Sequence, residues 1–171
     1  MIDWNRVHRL VGSSEPRFIV EKLILDSLLF LKVLPSLCGS VLDLGSGAGL
    51  PGIPLKVVAS WIDLTMLESK RRRASFLSTV VRELVLEGAR VVYGRAEDSV
   101  VQMAASFDVV VMRSVGRVGR VMPMALKFVR LGGTVVISGP PKPTAQETGQ
   151  WVTVNGLKPE EDRHFLVYRH Y

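Results

Sequence analysis

The stretch that most constrains this chain runs Val41-Leu42-Asp43-Leu44-Gly45-Ser46-Gly47-Ala48-Gly49-Leu50-Pro51-Gly52-Ile53-Pro54. It opens as a short apolar run, the pattern of a buried strand. Glycines on alternate positions follow, then a proline-punctuated apolar stretch that reads as a helix start. Each glycine can have a backbone reason. One turns the chain at the strand end, one leaves no Cβ between backbone and ligand, and the next lets helix and strand pack closely. Pro51 suits a first helical turn, where its missing N–H costs nothing. A strand, a glycine turn and a helix N-terminus together form a ligand cradle at the carboxyl end of a parallel sheet.

Two motifs fit this stretch. Gly47-x-Gly49-x-x-Gly52 matches the dinucleotide fingerprint G-x-G-x-x-G. Asp43-x-Gly45-x-Gly47-x-Gly49 matches the D-x-G-x-G-x-G loop of S-adenosylmethionine (SAM) methyltransferases, and is sharper because it adds an acid at the strand end.

The rest of the chain supports an α/β reading. Residues 1–17 are polar, with a turn at Gly12-Ser13-Ser14-Glu15-Pro16. Residues 18–34 have helical spacing and end at Pro35. Strands are expected at 40–44, 62–67, 91–93, 107–112 and 134–138. Helices are expected at about 51–59, 70–87 and 118–130, with a short one opening at Ala96-Glu97-Asp98. Residues 151–155 and 164–168 read as two closing strands. Alternation of this kind implies a parallel, doubly wound sheet with helices on both faces. A length of 171 residues is most simply one domain. Within it, 1–37 is an N-terminal helical segment and 38–171 the binding core.

Composition narrows the function. The longest apolar stretch, Leu23 to Leu37, is broken by Asp26, Lys32 and Pro35, so no membrane span is expected, and the N-terminus leads into no signal sequence. Cys38 is the only cysteine, which excludes an intramolecular disulfide and a thiolate-rich zinc site, and suggests the cytoplasm. His8, His164 and His170 have no metal-ligand spacing. The net charge of +6 is compatible with a polyanionic partner. Ser46 lacks the first glycine of a G-x-S-x-G elbow, which argues against a hydrolase.

Several residues carry candidate chemistry. Glu68 ends the second strand nineteen residues after Gly49, where an acid can accept ribose hydroxyls. Ala96-Glu97 follows the third strand, where a backbone N–H and a carboxylate can read an adenine. Arg113 follows the fourth strand and can hold a carboxylate or phosphate through its two-pronged guanidinium. Lys70-Arg71-Arg72-Arg73 opens a helix with four cations against its dipole, an arrangement that suits phosphate contact.

At this point the order of residues resembles the GidB/RsmG family, the small-subunit ribosomal RNA guanine-N7 methyltransferases. Leu25-Asp26-Ser27-Leu28 is similar to the family's L-D-S helix. Asp43 to Pro54 resembles its D-x-G-[ST]-G-x-G-x-P-G-[IL]-P loop. Glu68-Ser69 with Arg72-Arg73 and Phe76-Leu77 resembles its D-S-x-x-K-R-x-x-F-L element. Gly94-Arg95-Ala96-Glu97, Arg113-Ser114-Val115 and Arg163 to Val167 resemble further family elements. Leu23 stands where the family often has histidine, Ser138-Gly139 where it has lysine-glycine, and the N-terminal segment is shorter.

The resemblance implies a class I methyltransferase fold: a seven-stranded sheet, parallel except for the last strand. It implies SAM contacts at Gly45, Leu50, Ala96, Glu97 and Arg113, to which the residue pattern adds Gly47 and Glu68. No residue is expected to act as a base, with Arg113 the one candidate for a catalytic role. The expected partner is small-subunit (16S) ribosomal RNA or its particle, met by Lys70, Arg72, Arg73, Arg117 and Arg120, with no metal and with the chain a monomer. Two other functions fit parts of the pattern. One is a nicotinamide-linked oxidoreductase, although no Tyr-x-x-x-Lys pair or second domain supplies catalysis. The other is a non-enzymatic RNA-binding factor on the same fold.

Overall fold

A computed structural model describes residues 1–36, 38–113, 118–139, 149–158 and 161–171. Its centre is one seven-stranded sheet in the order β3-β2-β1-β4-β5-β7-β6. The strands are β1 (Ser40–Leu44), β2 (Asp63–Glu68), β3 (Ala89–Tyr93), β4 (Phe107–Arg113), β5 (Val129–Ser138), β6 (Gln150–Asn155) and β7 (Asp162–Arg169). β1 pairs in parallel with β2 and β4, β2 with β3, and β4 with β5. β7 runs antiparallel to both β5 and β6. It is therefore the one reversed strand, as the resemblance implied.

The parity of each strand divides the core in two. Val41, Leu64, Met66, Val109, Val111, Val136 and Phe165 face one side, and α3 (Gly52–Val58) and α4 (Arg71–Glu83) cover it with Leu55, Phe76 and Leu77. Leu42, Leu44, Leu67, Val110, Met112, Val135 and Ile137 face the other, under α5 (Ala96–Met103) and α6 (Val118–Phe128). Strands buried on both faces need near-continuous apolar runs, and β1 and β4 supply them. The chain order reverses between β1 and β4, the place where open α/β sheets leave a crevice.

The N-terminal segment adds to the first face. α1 (Ile2–His8) lays Trp4 against Phe76, with ring centroids 5.5 Å apart. After α2 (Pro16–Phe18), a π-helical stretch covers Ile19–Leu25 and a 3₁₀ stretch Leu28–Lys32. The sequence predicts one continuous helix over 18–34. The chain instead widens and then tightens its turns, which frees backbone carbonyls for outside partners. Phe30 meets Phe165 of β7 edge-on at 4.8 Å, a contact of a kind contributing about 0.5–1.5 kcal/mol beyond its burial.

Other boundaries also move. α4 ends at Glu83 rather than near Glu87. Val85 takes a left-handed φ of 49°, and the Leu86 N–H reaches back to the Val81 carbonyl, closing the helix before Gly88 is reached. β5 starts at Val129, directly after α6, rather than at Thr134. Residues 1–17, read from sequence as polar and turn-rich, contain α1.

Candidate functional site

The glycine stretch does form a strand-turn-helix at the carboxyl end of β1. Gly45, Gly47 and Gly49 all have positive φ, at 77°, 58° and 79°. At Gly49 a side chain would collide with Ile53 of α3 and touch Leu77 of α4 at 3.0 Å, so this glycine permits helix and strand to close on each other. At Gly47 the space is open, with Arg73 Nη1 the nearest side-chain atom at 3.8 Å from a would-be Cβ. There the requirement is the left-handed backbone itself, which a β-branched residue avoids.

Two buried acids hold this loop. Glu68, 5% exposed, accepts the Gly47 N–H at 2.8 Å and the Lys70 N–H at 2.7 Å. It ties the end of β2 to both the loop and the start of α4. A carboxylate has about four acceptor positions, so two remain for a ligand. Asp43, 1% exposed, accepts the Gly52 N–H at 2.9 Å and so anchors the first turn of α3. Burial pushes its carboxyl up to about 7, against the pull of the Gly52 N–H and the Ser46 hydroxyl, and the Glu68 charge adds to the rise. The motif marks Asp43 as a strand-end acid, whereas its burial, and with it the raised pKa, depends on the loop folded over it.

At the ends of β1, β2 and β3 lies a pocket of about 340 Å³. Gly45 of the loop, Ser69 after β2, and Gly94, Ala96 and Glu97 after β3 line it, while Met112 of β4 and Arg120 and Met124 of α6 close the far side. Its size is that of a small-molecule site, and apolar walls with a few polar groups suit a nucleoside. Gly45 after β1, Ser69 after β2, and Ala96 and Glu97 after β3 are thus brought together from three separate strand ends. Glu97 is exposed in the first turn of α5, where its charge also favours the helix dipole.

Gly47 and Glu68 do not line this pocket themselves, and Leu50 and Arg113 lie elsewhere. Leu50 lines a separate apolar groove of about 490 Å³, with Ile24, Leu28, Ile53 and Val80. Arg113 ends β4, but its guanidinium is turned to the N-terminal segment. It donates to the Lys22 carbonyl at 2.9 Å, the Leu23 carbonyl at 2.9 Å and the Ser27 hydroxyl at 2.8 Å, and pairs with Asp26 at 3.0 Å. The carbonyls belong to the π-helical stretch. Burial lowers the Arg113 pKa, Asp26 opposes that shift, and nearby Arg163 adds to it. Arg163 Nε lies 3.0 Å from the other Asp26 oxygen, without an aligned N–H. The sequence showed an arginine at a strand end; the acid that faces it, 87 residues upstream, could be found only through the fold.

Of the basic candidates, Lys70 and Arg72 are exposed at the start of α4, Arg73 is half-buried beside the glycine loop, and Arg120 is exposed at the pocket wall. Arg117, Ser114 and Val115 lie outside the described residues. No group of three or more His, Cys, Asp or Glu among the described residues is arranged to hold a metal ion. No helix among them is long and apolar enough to cross a membrane.

The strand order, the single reversed strand and the pocket at the β1–β4 switch point define a class I methyltransferase fold. Solved structures agree at the level of the fold. Pyrococcus horikoshii TYW2 in complex with MeSAdo aligns with a TM-score of 0.62 at 15% identity, over 83% of this chain and 60% of its own. M. jannaschii TYW2 in complex with AdoMet aligns with a TM-score of 0.58 at 15% identity, over 75% of this chain and 66% of its own.

The model of the GidB family, rRNA small subunit methyltransferase G, matches residues 1–162, and the chain belongs to that family. Ribosomal RNA small subunit methyltransferase G of Caldanaerobacter subterraneus subsp. tengcongensis is 38% identical over 78% of this chain and 57% of its own length. The Brevibacillus brevis protein of the same name is 36% identical over 80% of this chain and 58% of its own. The chain thus spans a little under three fifths of the length of the curated relatives it matches.

Proposed function

We propose that this chain transfers a methyl group from SAM to guanine N7 of small-subunit ribosomal RNA. The observation that carries the reading is the pocket at the switch point. Three strand ends contribute Gly45, Ser69 and the Ala96-Glu97 pair to one cavity, beside a glycine loop locked by Glu68. That cavity suits a nucleoside: Glu68, just outside its lining, would offer acceptor positions to ribose hydroxyls, and Ala96 and Glu97 would offer an adenine edge an N–H and a carboxylate. Membership of the GidB family supports the acceptor. The net charge of +6 supports a polyanionic substrate. The work would fall in the cytoplasm, with one copy of the chain carrying a complete pocket.

Bound SAM supplies an electrophilic methyl group on a sulfonium. The chain's own task is orientation. Guanine N7 has a free lone pair at neutral pH, so no side chain need remove a proton before attack, and positioning can supply the rate enhancement. Glu68 and the glycine loop fix the nucleoside. Arg113 acts as a positioning residue: through Asp26, Ser27 and two carbonyls it sets the N-terminal segment against the end of β4. Holding a ligand carboxylate or a phosphate as well would require it to exchange some of those bonds.

Single-turnover methyl transfer to small-subunit ribosomal RNA tests this directly. With SAM and RNA saturating, the rate should be nearly flat from about pH 6 to 9, without the bell of an essential acid–base pair. A bell that persists at saturation would point to an exocyclic amine or a ring carbon as the acceptor. Calorimetry that finds binding of NAD but not SAM would overturn the cofactor, and SAM binding without transfer to any ribosomal RNA or particle would leave a binding factor.

A further inference from the structure

Next to the glycine loop, on the side away from the nucleoside pocket, lies a polar cleft of about 570 Å³. Arg6 and Arg9 of the N-terminal segment, Ser13 and Ser14 of the following turn, and Arg73 of α4 line it around Asn5. We propose that this cleft binds backbone phosphates of the RNA substrate, an inference that rests on the RNA reading above and extends the RNA-contacting surface to Arg6 and Arg9.

The turn is built, not draped. Asn5 is 5% exposed and uses its whole amide to hold it. Its Nδ2 donates to the Ser13 carbonyl and the Ser14 hydroxyl, each at 2.9 Å, and its Oδ1 accepts the Val11 N–H at 2.8 Å. Arg9 closes α1 in the left-handed conformation, with φ 47°. Trp4, beside Asn5, packs on Phe76, one turn beyond Arg73 on α4. The Trp4–Phe76 contact therefore ties the backbone that carries Arg6 and Arg9 to the helix that carries Arg73.

The chemistry of the lining is one-sided. The Ser13 hydroxyl accepts the Glu15 N–H at 3.1 Å, and the Ser14 hydroxyl accepts from Asn5, so each keeps its own O–H to donate. Three guanidiniums add donors and no acceptors. Two acids lie nearby. Glu15 uses its carboxylate oxygens to cap α2 through the Arg17 and Phe18 N–H groups. Asp3 meets Arg6 at 3.4 Å, with both side chains mostly in solvent and the pair correspondingly screened. A cleft of donors and positive charge matches a ligand of acceptors and negative charge, which is what a phosphodiester offers.

Arg73 Nη1 is 3.8 Å from the point where a Cβ on Gly47 would lie, so the same guanidinium borders the cleft and the cofactor loop. A strand held by Arg6, Arg9 and Arg73 would pass beside the loop that carries the methyl donor.

The test is RNA binding by the full chain, measured with transcribed small-subunit ribosomal RNA across a salt series. SAM affinity and methyl transfer are followed in parallel. The Arg6→Gln/Arg9→Gln double variant should bind RNA about tenfold more weakly near 0.1 M salt and lose roughly one to two units of salt slope, at about 0.7 per lost single-strand contact. Its SAM affinity should be unchanged. Arg73→Gln should lose up to about one further unit, whereas Arg82→Gln, exposed at the far end of α4, should lose none. Ser13→Ala/Ser14→Ala should weaken binding at constant slope. If the double variant and Arg73→Gln keep the wild-type affinity and slope, the cleft is overturned, and methyl transfer by the wild type would still uphold the substrate reading. If the variants lose slope while the wild type transfers no methyl group to this RNA, the cleft stands and the reading of the reaction fails.

Discussion

Asp43 and Asp108 sit at opposite ends of adjacent strands, and their surroundings push them in opposite directions. Asp43 lies at the carboxyl end of β1, almost wholly buried, and burial raises its carboxyl to about 7. Asp108 lies at the amino end of β4. There burial again works to raise the carboxyl, but the Ser40 N–H, Arg130, the Gly39 N–H and the Ser40 hydroxyl outweigh it and hold the group at about 2. At the amino edge, donors and a cation converge on one acid, and the result is a clamp on β1, β4 and β5. At the carboxyl edge, two acids are packed under a loop with few donors, and the result is a cradle. The sheet is closed by favourable electrostatics at one edge and keeps a buried acid with a raised pKa at the other.

The largest effect expected from this contrast is on Asp43. A carboxyl whose pKa is raised on folding binds its proton more tightly in the folded state than in the unfolded one. The stability it supports is complete below the unfolded value of 3.8 and is lost as pH rises through about 7. The loss is on the order of 4 kcal/mol between pH 4 and 8. Asp43→Asn keeps an oxygen for the Gly52 N–H and has no proton to lose. Its unfolding free energy should therefore stay level over that range and exceed the wild type at pH 8. Urea melts at a series of pH values measure this, and a variant curve parallel to the wild type would end the assignment.

Glu68 should give the next largest effect, and of a different kind. Glu68→Ala removes the acceptor for the Gly47 and Lys70 N–H groups and the proposed ribose contact together. SAM affinity should fall by about 1–3 kcal/mol, the scale of lost charged hydrogen bonds. Gly47→Val, which forces a branched side chain into a left-handed backbone, should lower it at least tenfold, about 1.4 kcal/mol. Calorimetry on folded variants decides both. A change in melting temperature with unchanged SAM affinity would make the carboxyl edge a structural clamp like the amino edge, and the contrast would dissolve.

Much of the carboxyl edge was legible in the sequence because its signals are local. The glycine loop, the acid closing β2 and the Ala96-Glu97 turn each announce themselves within a few residues, and the parallel sheet brings their ends together. Arg113 was legible as a strand-end arginine, but its partner Asp26 is remote in sequence, and the π-helical carbonyls it engages depend on turns that widen only in the folded chain. Leu50 sits in the loop motif, yet the packing of α3 turns it to the apolar groove. The early end of α4 rests on Val85, a residue type that usually avoids left-handed backbone, so no propensity could mark it. The amino-edge clamp was invisible for a related reason. Asp108 reads as one acid in an apolar strand, and its donors come from residues 39, 40 and 130.

The smallest predicted effect is at Asp108, and its sign separates the two edges. Its carboxyl is lowered on folding, so its contribution is complete above the unfolded value of 3.8 and is lost as pH falls through about 2. The Arg130 side chain is more than half exposed, which screens that part of the interaction. Asp108→Asn retains one oxygen for the Gly39 and Ser40 N–H groups but loses the charge. It should therefore cost only about 1 kcal/mol at pH 7, the scale of one net hydrogen bond, and progressively less as pH falls towards 2. SAM affinity should not move, because the residue lies at the end of the sheet away from the pocket. Asp43→Asn is expected to stabilise at high pH, and Asp108→Asn to destabilise there. Urea melts of both variants at pH 3 and pH 8 read the two signs on one scale. Equal signs at pH 8 would mean that burial does not outweigh the donors at Asp43, and that both edges are held in the same way.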